Sequence, residues 1–176
     1  MPGRGAPRDR GADRPQENGL IRYASAHIIR LASERGECAF HIEHAAYDFL
    51  ITLVFDKLFE RFPNVRVASV ENGSEFLPDL FRKLRSTDHK MPGYFGIDPG
   101  ESFRRNVWIN PFWEDDPYEI AELVGEERVL FGSDWPHIEC VPEPLSYERE
   151  LKDFSDEARR LILHDNTAAL NELRPA

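Results

Sequence analysis

Cysteine is scarce in this 176-residue sequence: Cys38 and Cys140 are the whole complement. Two thiols give no disulfide framework, and neither stands in the Cys-x-x-Cys spacing of a metal or redox motif. A reducing, cytoplasmic compartment is the expectation. Long apolar runs are also missing. A membrane span needs about 20 such residues, whereas the nearest candidate, Phe49 to Phe55, stops at Asp56 and Lys57. Positive charge does not prevail either. Lys and Arg number 22 against 32 Asp and Glu, a net charge of −10, which argues against nucleic-acid binding through a general basic footprint. The first residues lack the apolar core of a secretory signal.

What remains is an ordinary soluble composition, 41% hydrophobic and 11% aromatic, with room for one domain and a sizeable core. Residues 1–18 carry Pro2, Gly3, Gly5, Pro7, Gly11 and Pro15 among arginines, with almost nothing apolar. This composition predicts a disordered leader, leaving residues 19–176 as the folded part.

The chain then alternates helical and strand-like patterns. A weak helical pattern runs from Ile21 to Ala32. A stronger one spans about Ala45 to Phe62 and is closed by Pro63. Its polar residues Asp48, Thr52, Asp56 and Glu60 fall four apart, so Phe49, Leu50, Leu53, Val54, Leu58 and Phe59 cover the rest of its circumference. Ser74 is a candidate helix cap, with Phe76, Leu80, Phe81 and Leu84 at helical spacing behind it. The polar, Pro/Gly-rich stretch from Ser86 to Gly100 reads as a long loop. Asp116-Pro117-Tyr118-Glu119 has the N-cap, Pro at the first position and Glu at the third that open a helix, and Gly125 stands where a left-handed cap would end it. A Pro-rich loop follows from Pro136 to Pro144. Two last helices are expected, Ser155 to His164 and Asn166 to Leu173.

Three short apolar runs stop at polar residues: Val65–Val70 at Glu71-Asn72-Gly73, Val107–Ile109 at Asn110-Pro111, and a run from about Arg128 to Gly132 at Ser133-Asp134. Strands interleaved with helices argue for a parallel sheet. Glu71, Asn110 and Asp134 would then share the rim at the strands' carboxyl ends, where α/β proteins place their chemistry.

Four motifs carry a resemblance. Phe62-Pro63-Asn64-Val65-Arg66-Val67 is followed by Glu71-Asn72-Gly73 and Phe76-Leu77, then by Arg104-Arg105-Asn106-Val107-Trp108. After these come Phe131-Gly132-Ser133-Asp134-Trp135-Pro136-His137 and Ile162-Leu163-His164-Asp165-Asn166-Thr167-Ala168-Ala169-Leu170. Over roughly residues 45–173 the chain resembles the amidohydrolase-related family, in the branch of the aminocarboxymuconate-semialdehyde and aromatic-acid decarboxylases. The resemblance implies an α/β fold, a partial (β/α)8 barrel made of the last three to four βα units. It also implies one divalent metal, Zn or Mn, at the barrel mouth.

By the same resemblance Asp134 is a metal ligand and proton carrier, and Glu71 stands where better-known members carry a catalytic histidine, as an acid/base. Asn110, Trp135 and His137 would shape the substrate pocket. A complete barrel needs about 250 residues. The family's first-strand His-x-His pair has no counterpart here, and Arg14 to Gly19 offers no fifth-strand histidine. Because affinity comes from several ligands fixed together, metal binding by this chain alone stays open.

The remaining histidines and thiols read more plainly. His41 and His44 could face one side of a helix, but helix-entry packing is the simpler account. His27, His89 and His164 read as structural or solvated, and Cys140 has no base partner that would make it a nucleophile. Two functions follow. One is a metal-dependent hydrolase or decarboxylase of a small, aromatic carboxylate. The other is a catalytically silent partial barrel acting through association with another chain. Three strands would leave edges open, so self-association, or disorder over much of residues 1–44, is expected.

Overall fold

The computed structural model describes residues 38–112, 114–135 and 141–172, the side chains of 38–41 excepted. The expected leader, the Ile21–Ala32 helix, His27, His137 and Cys140 lie outside the described residues. All described residues but the first belong to the compact unit Ala39–Ala176.

Helix α1, Cys38–Phe55, and α2, Leu58–Arg61, replace the single helix expected over 45–62. The break is at Lys57, whose φ of 55° and ψ of 32° are left-handed. Such a residue costs about 1–2 kcal/mol without glycine. Its side chain offsets that cost: Nζ donates to the Tyr94 carbonyl and lies 4.2 Å from the centre of the Tyr94 ring. Leu50, Val54 and Phe59 are buried as the pattern requires, whereas Phe49 is 57% exposed.

Strands β1, Val67–Ser69, and β2, Val107–Ile109, pair in parallel with Val67 opposite Val107 and Ser69 opposite Ile109. The third run makes only a parallel bridge, Val129 to Ile109. Both shortfalls have a cause in the hydrogen bonds. Asn106 Nδ2 donates to the carbonyls of Pro63 (3.0 Å) and Val65 (2.6 Å), and Asn72 Nδ2 to that of Val70 (2.8 Å), so side chains close β1 at both ends. Around Val129, a 3-10 turn at Glu126–Arg128 precedes it. Beyond it, Phe131 N donates to Ile162 O (3.2 Å) and Asn166 Nδ2 to Val129 O (2.8 Å). The C-terminal helix thus takes groups that a longer strand would have used.

Between β1 and β2 run α3, Leu77–Lys90, and α4, Pro99–Asn106. The loop expected over 86–100 is therefore confined to residues 91–98. Asp98 caps α4 by accepting from Glu101 N (2.7 Å), with Pro99 next to it. Ser74 does not cap α3; its hydroxyl donates to Asp115 (2.8 Å). Helix α5, Pro117–Val124, has the expected Asp116 cap, accepting from Tyr118 N (2.8 Å). Gly125 beyond it has positive φ (96°) but an extended ψ of 145°, so it is not the left-handed cap expected.

A 3-10 segment, Pro144–Arg149, leads to the last helix, which has no break at Asp165. Helix α6, Asp156–Arg160, continues through a π turn, Leu161–Asp165, into α7, Asn166–Asn171. Ile162 in that widened turn supplies the carbonyl that Phe131 uses.

Val107, Ile109 and Val129 are fully buried and pack with Leu77, Leu80, Phe103 and Ile162 into the core between sheet and helices. Fully burying such side chains stabilises by roughly 1.5–3 kcal/mol each. Trp108 alternates to the opposite sheet face, where the Arg128 guanidinium lies 4.5 Å from its ring centre.

Candidate functional site

Because the strands are parallel, the segments after β1, β2 and Val129 emerge on one side. Glu71 follows β1 and is exposed, Asn110 follows β2 directly and is buried, and Asp134, half-buried, closes the Phe131-Gly132-Ser133 run. Both carboxylates sit on left-handed backbone, at φ 59° for Glu71 and 54° for Asp134. Among the described residues Lys57 is the one other non-glycine with positive φ. Strained positions of this kind concentrate where function over-determines the backbone.

Asn110 ties the rim together. Its backbone N–H donates to Ser69 O (2.8 Å), and its side-chain amide donates to the carbonyls of Pro111 (3.3 Å) and Leu130 (3.4 Å). Trp135, beside Asp134, is 66% exposed.

Three residues that sequence reasoning passed over complete the rim. Asp115 joins two loops: its Oδ2 accepts from Ser74 Oγ (2.8 Å) and from Phe112 N (3.0 Å). Glu43, on α1, reaches the turn after β1, where its carboxylate lies against Gly73. Burial first, then the Glu75 and Asp115 carboxylates, push the Glu43 carboxyl above its ordinary 4.5, against the pull of His44 and the Glu75 N–H. Tyr147 is buried under Phe131, the rings stacked at 5.0 Å. Its hydroxyl has no hydrogen-bond partner among the described residues, and burial, with Asp115, Glu150 and Asp116 nearby, pushes it up to about 12.

The residues do not form a metal centre by themselves. Among the described residues no three His, Cys, Asp or Glu side chains are placed to share an ion. Asp134 remains a single candidate ligand, and one carboxylate does not make the several-ligand set that Zn or Mn requires. His41 and His44 lie within α1 rather than ahead of it, and His44 is exposed. His89 ends α3 and is exposed. His164 Nδ1 pairs with Asp165 Oδ1 at 2.7 Å, which helps hold the Asp165 carboxyl below its ordinary range.

Comparison with known proteins gives one consistent answer. Residues 5–171 match the amidohydrolase family, well upstream of the motifs that first suggested it. The 2-amino-3-carboxymuconate-6-semialdehyde decarboxylase of Dictyostelium discoideum is 25% identical over 139 residues, covering 72% of this chain and 36% of that protein. The crystal structure of an amidohydrolase from Mycobacterium avium subsp. paratuberculosis superposes with a TM-score of 0.70 at 41% identity, over 73% of this chain and 33% of its own. The 5-carboxyvanillate decarboxylase of Sphingomonas paucimobilis, at 20% identity and a TM-score of 0.51, shares the fold over 67% of this chain and 37% of its own. The chain thus spans about a third of the length of these relatives.

Proposed function

Since the chain belongs to the amidohydrolase family, we propose that it supplies the Glu71 and Asp134 rim of a hydrolase or decarboxylase acting on a small, aromatic, carboxylate-bearing molecule. The supporting observation is that both carboxylates stand on strained, left-handed backbone, Glu71 beyond the end of parallel strand β1 and Asp134 beyond the run that Val129 bridges to Ile109. The βα alternation is read as the last three to four units of an eight-stranded barrel. Glu71, exposed at the rim, exchanges a proton with a substrate oxygen or with water. Asp134 is the second proton carrier. Asn110 holds the floor of the pocket, while Trp135 and His137 form its mouth. The family's divalent metal would need ligands beyond those described, so no step is assigned to it. Among the described residues no helix is long and apolar enough to cross a membrane; a cytoplasmic site of action accords with the two cysteines.

The test is a panel of hydroxybenzoates, amides and lactones offered to the purified chain with added Zn or Mn. Release of CO2 is read separately from hydrolysis. Turnover that falls about 100-fold or more in Glu71→Gln and Asp134→Asn supports the reading, and turnover unchanged in both variants overturns it.

A specific observation favours a second reading, action only in association with another chain. Among the described residues β1 has a strand on one side alone. A cavity of about 250 Å3 opens between α1 and β1, and Phe49 (57%) and Val70 (50%) stand exposed. Open edges and apolar patches of this kind associate. Self-association in light scattering that Val70→Lys abolishes supports this reading, and a monomer at all concentrations counts against it.

A further inference from the structure

We propose that Asp115, in the loop after β2, is a positioning residue that holds the turn carrying Glu71 through Ser74, a role that rests on reading Glu71 as a site residue. Two hydrogen bonds define it, and both go to one oxygen. Asp115 Oδ2 accepts from Ser74 Oγ at 2.8 Å and from Phe112 N at 3.0 Å. The first bond crosses between the loops after β1 and β2. The second, with Asp115 N donating to Phe112 O (3.2 Å), braces Asp115 within its own loop. Ser74 is 6% exposed, so water offers its hydroxyl little alternative.

The two loops are thereby joined at both ends. Where β1 and β2 finish, Asn110 N donates to Ser69 O at 2.8 Å. Further out, Ser74 and Asp115 meet. Glu71 stands between these joints, on the segment 69–74, with buried Asn110 opening the facing segment 110–115. Within the Glu71 segment, Asn72 Nδ2 donates to Val70 O (2.8 Å) and Gly73 has φ +67°. Glu71 itself is left-handed, at φ 59°. A residue other than glycine keeps such backbone only where its surroundings over-determine it, and fixing both ends of so short a segment is one such constraint. With the outer joint released, Glu71 relaxes towards the negative φ that its chirality favours. Because one oxygen takes both bonds, an asparagine amide oxygen can stand in for it. Asp115→Asn therefore keeps the joint without the charge, Asp115→Ala removes both bonds, and Ser74→Ala removes the crossing bond alone.

The test is NMR on the whole chain, comparing wild type with these three variants. At Glu71 the readout is the strong HN–Hα cross-peak within the residue that positive φ produces; at Phe112 it is amide hydrogen exchange. Wild type and Asp115→Asn are expected to show the strong Glu71 cross-peak and a protected Phe112 amide. Asp115→Ala loses the cross-peak, and its Phe112 amide exchanges about tenfold faster. Ser74→Ala also loses the cross-peak but keeps Phe112 protected. A side chain that merely stabilised its own loop would change Phe112 and leave Glu71 alone. A Glu71 cross-peak as strong in Ser74→Ala as in wild type therefore overturns the proposal, as does its loss in Asp115→Asn. Ser74→Ala decides even where Asp115→Ala does not fold. Neither readout uses a substrate or a metal, so failure of Glu71 as a catalytic group would appear in the turnover assay alone, and failure of the Asp115 joint in these spectra alone.

Discussion

The side-chain amide of Asn110 lies against the backbone of Gly132, its Oδ1 2.8 Å and its Nδ2 2.9 Å from where a Cβ would stand. The end of β2 is thereby docked on the run that leads to Asp134. Gly132 does not have positive φ, so the residue is glycine for space and not for conformation. Asn110 is 3% exposed and cannot swing clear. Gly132→Ala is expected to cost about 1–3 kcal/mol, the usual range for overpacking. Urea unfolding checks it, and adding Asn110→Ala to the same chain should return part of the loss, because the two side chains compete for one space.

Asn166 makes the corresponding joint on the other side of Val129. Its Nδ2 donates to the carbonyls of Glu126 and Val129, both at 2.8 Å, and the residue is 3% exposed. Asn166→Ala leaves two carbonyls without their donor, a loss of about 1–3 kcal/mol. Asn166→Asp should lose more, since it turns an acceptor towards two acceptors. Thermal unfolding at neutral pH orders the three proteins; an Asp variant more stable than the Ala variant would contradict the assignment.

These joints explain what could and could not be read in the sequence. The alternation of strand and helix that implies parallel pairing, and the Asp116 cap, were legible because each is a local pattern in the chain. Asp98-Pro99-Gly100-Glu101 repeats the helix-opening signature of Asp116-Pro117-Tyr118-Glu119, yet Gly93, Gly96 and Gly100 around it made the stretch look like loop. Strand lengths were not legible. They are set by the amides of Asn72, Asn106 and Asn166, which reach carbonyls up to 43 positions away. Nor was the break at Lys57 visible, because its support comes from Tyr94. Glu43 lay hidden for the same reason: its partners, Gly73 and Glu75, meet it only through the fold.

Tyr147 carries a buried hydroxyl without a partner among the described residues, so none of them compensates its desolvation. Tyr147→Phe keeps the stack on Phe131 and is expected to be neutral or to stabilise by up to about 1 kcal/mol. The alkaline side gives a second check. Its pKa is raised, from 10.0 to about 12, so the unfolded chain releases the proton first. The stability this residue contributes is present below pH 10.0 and is lost as pH rises towards about 12. Tyrosinate absorbance should show a late step, near pH 12, that the Phe variant lacks.

Glu43 titrates in the same sense at lower pH. Its carboxyl is raised above 4.5 in the folded chain, so the folded state binds the proton more tightly than the unfolded state does. Below pH 4.5 both states are protonated and the full stability is present; as pH rises through the folded value, stability is lost. Glu43→Gln mimics the protonated form at every pH. Its melting temperature relative to wild type should therefore climb above pH 4.5 and then level off. A constant difference from acid to neutral pH would show that Glu43 ionises as it does in the unfolded chain.

Asp134 poses a problem of choice for any test of the site. At φ 54° it occupies backbone that glycine and asparagine accept and alanine resists, by roughly 1 kcal/mol. Asp134→Ala removes the carboxylate and strains the turn at once, and a loss of turnover or metal binding in that variant would mix both effects. Asp134→Asn keeps the shape and the left-handed tolerance. The expected order of stability is Asn above Ala, with Gly also above Ala, measured by urea midpoint. If Asn and Ala unfold together, the turn is not under conformational strain, and the strained backbone loses its standing as the observation behind the proposed site. If Asn is as stable as wild type and still inactive, the carboxylate itself is what the reaction needs.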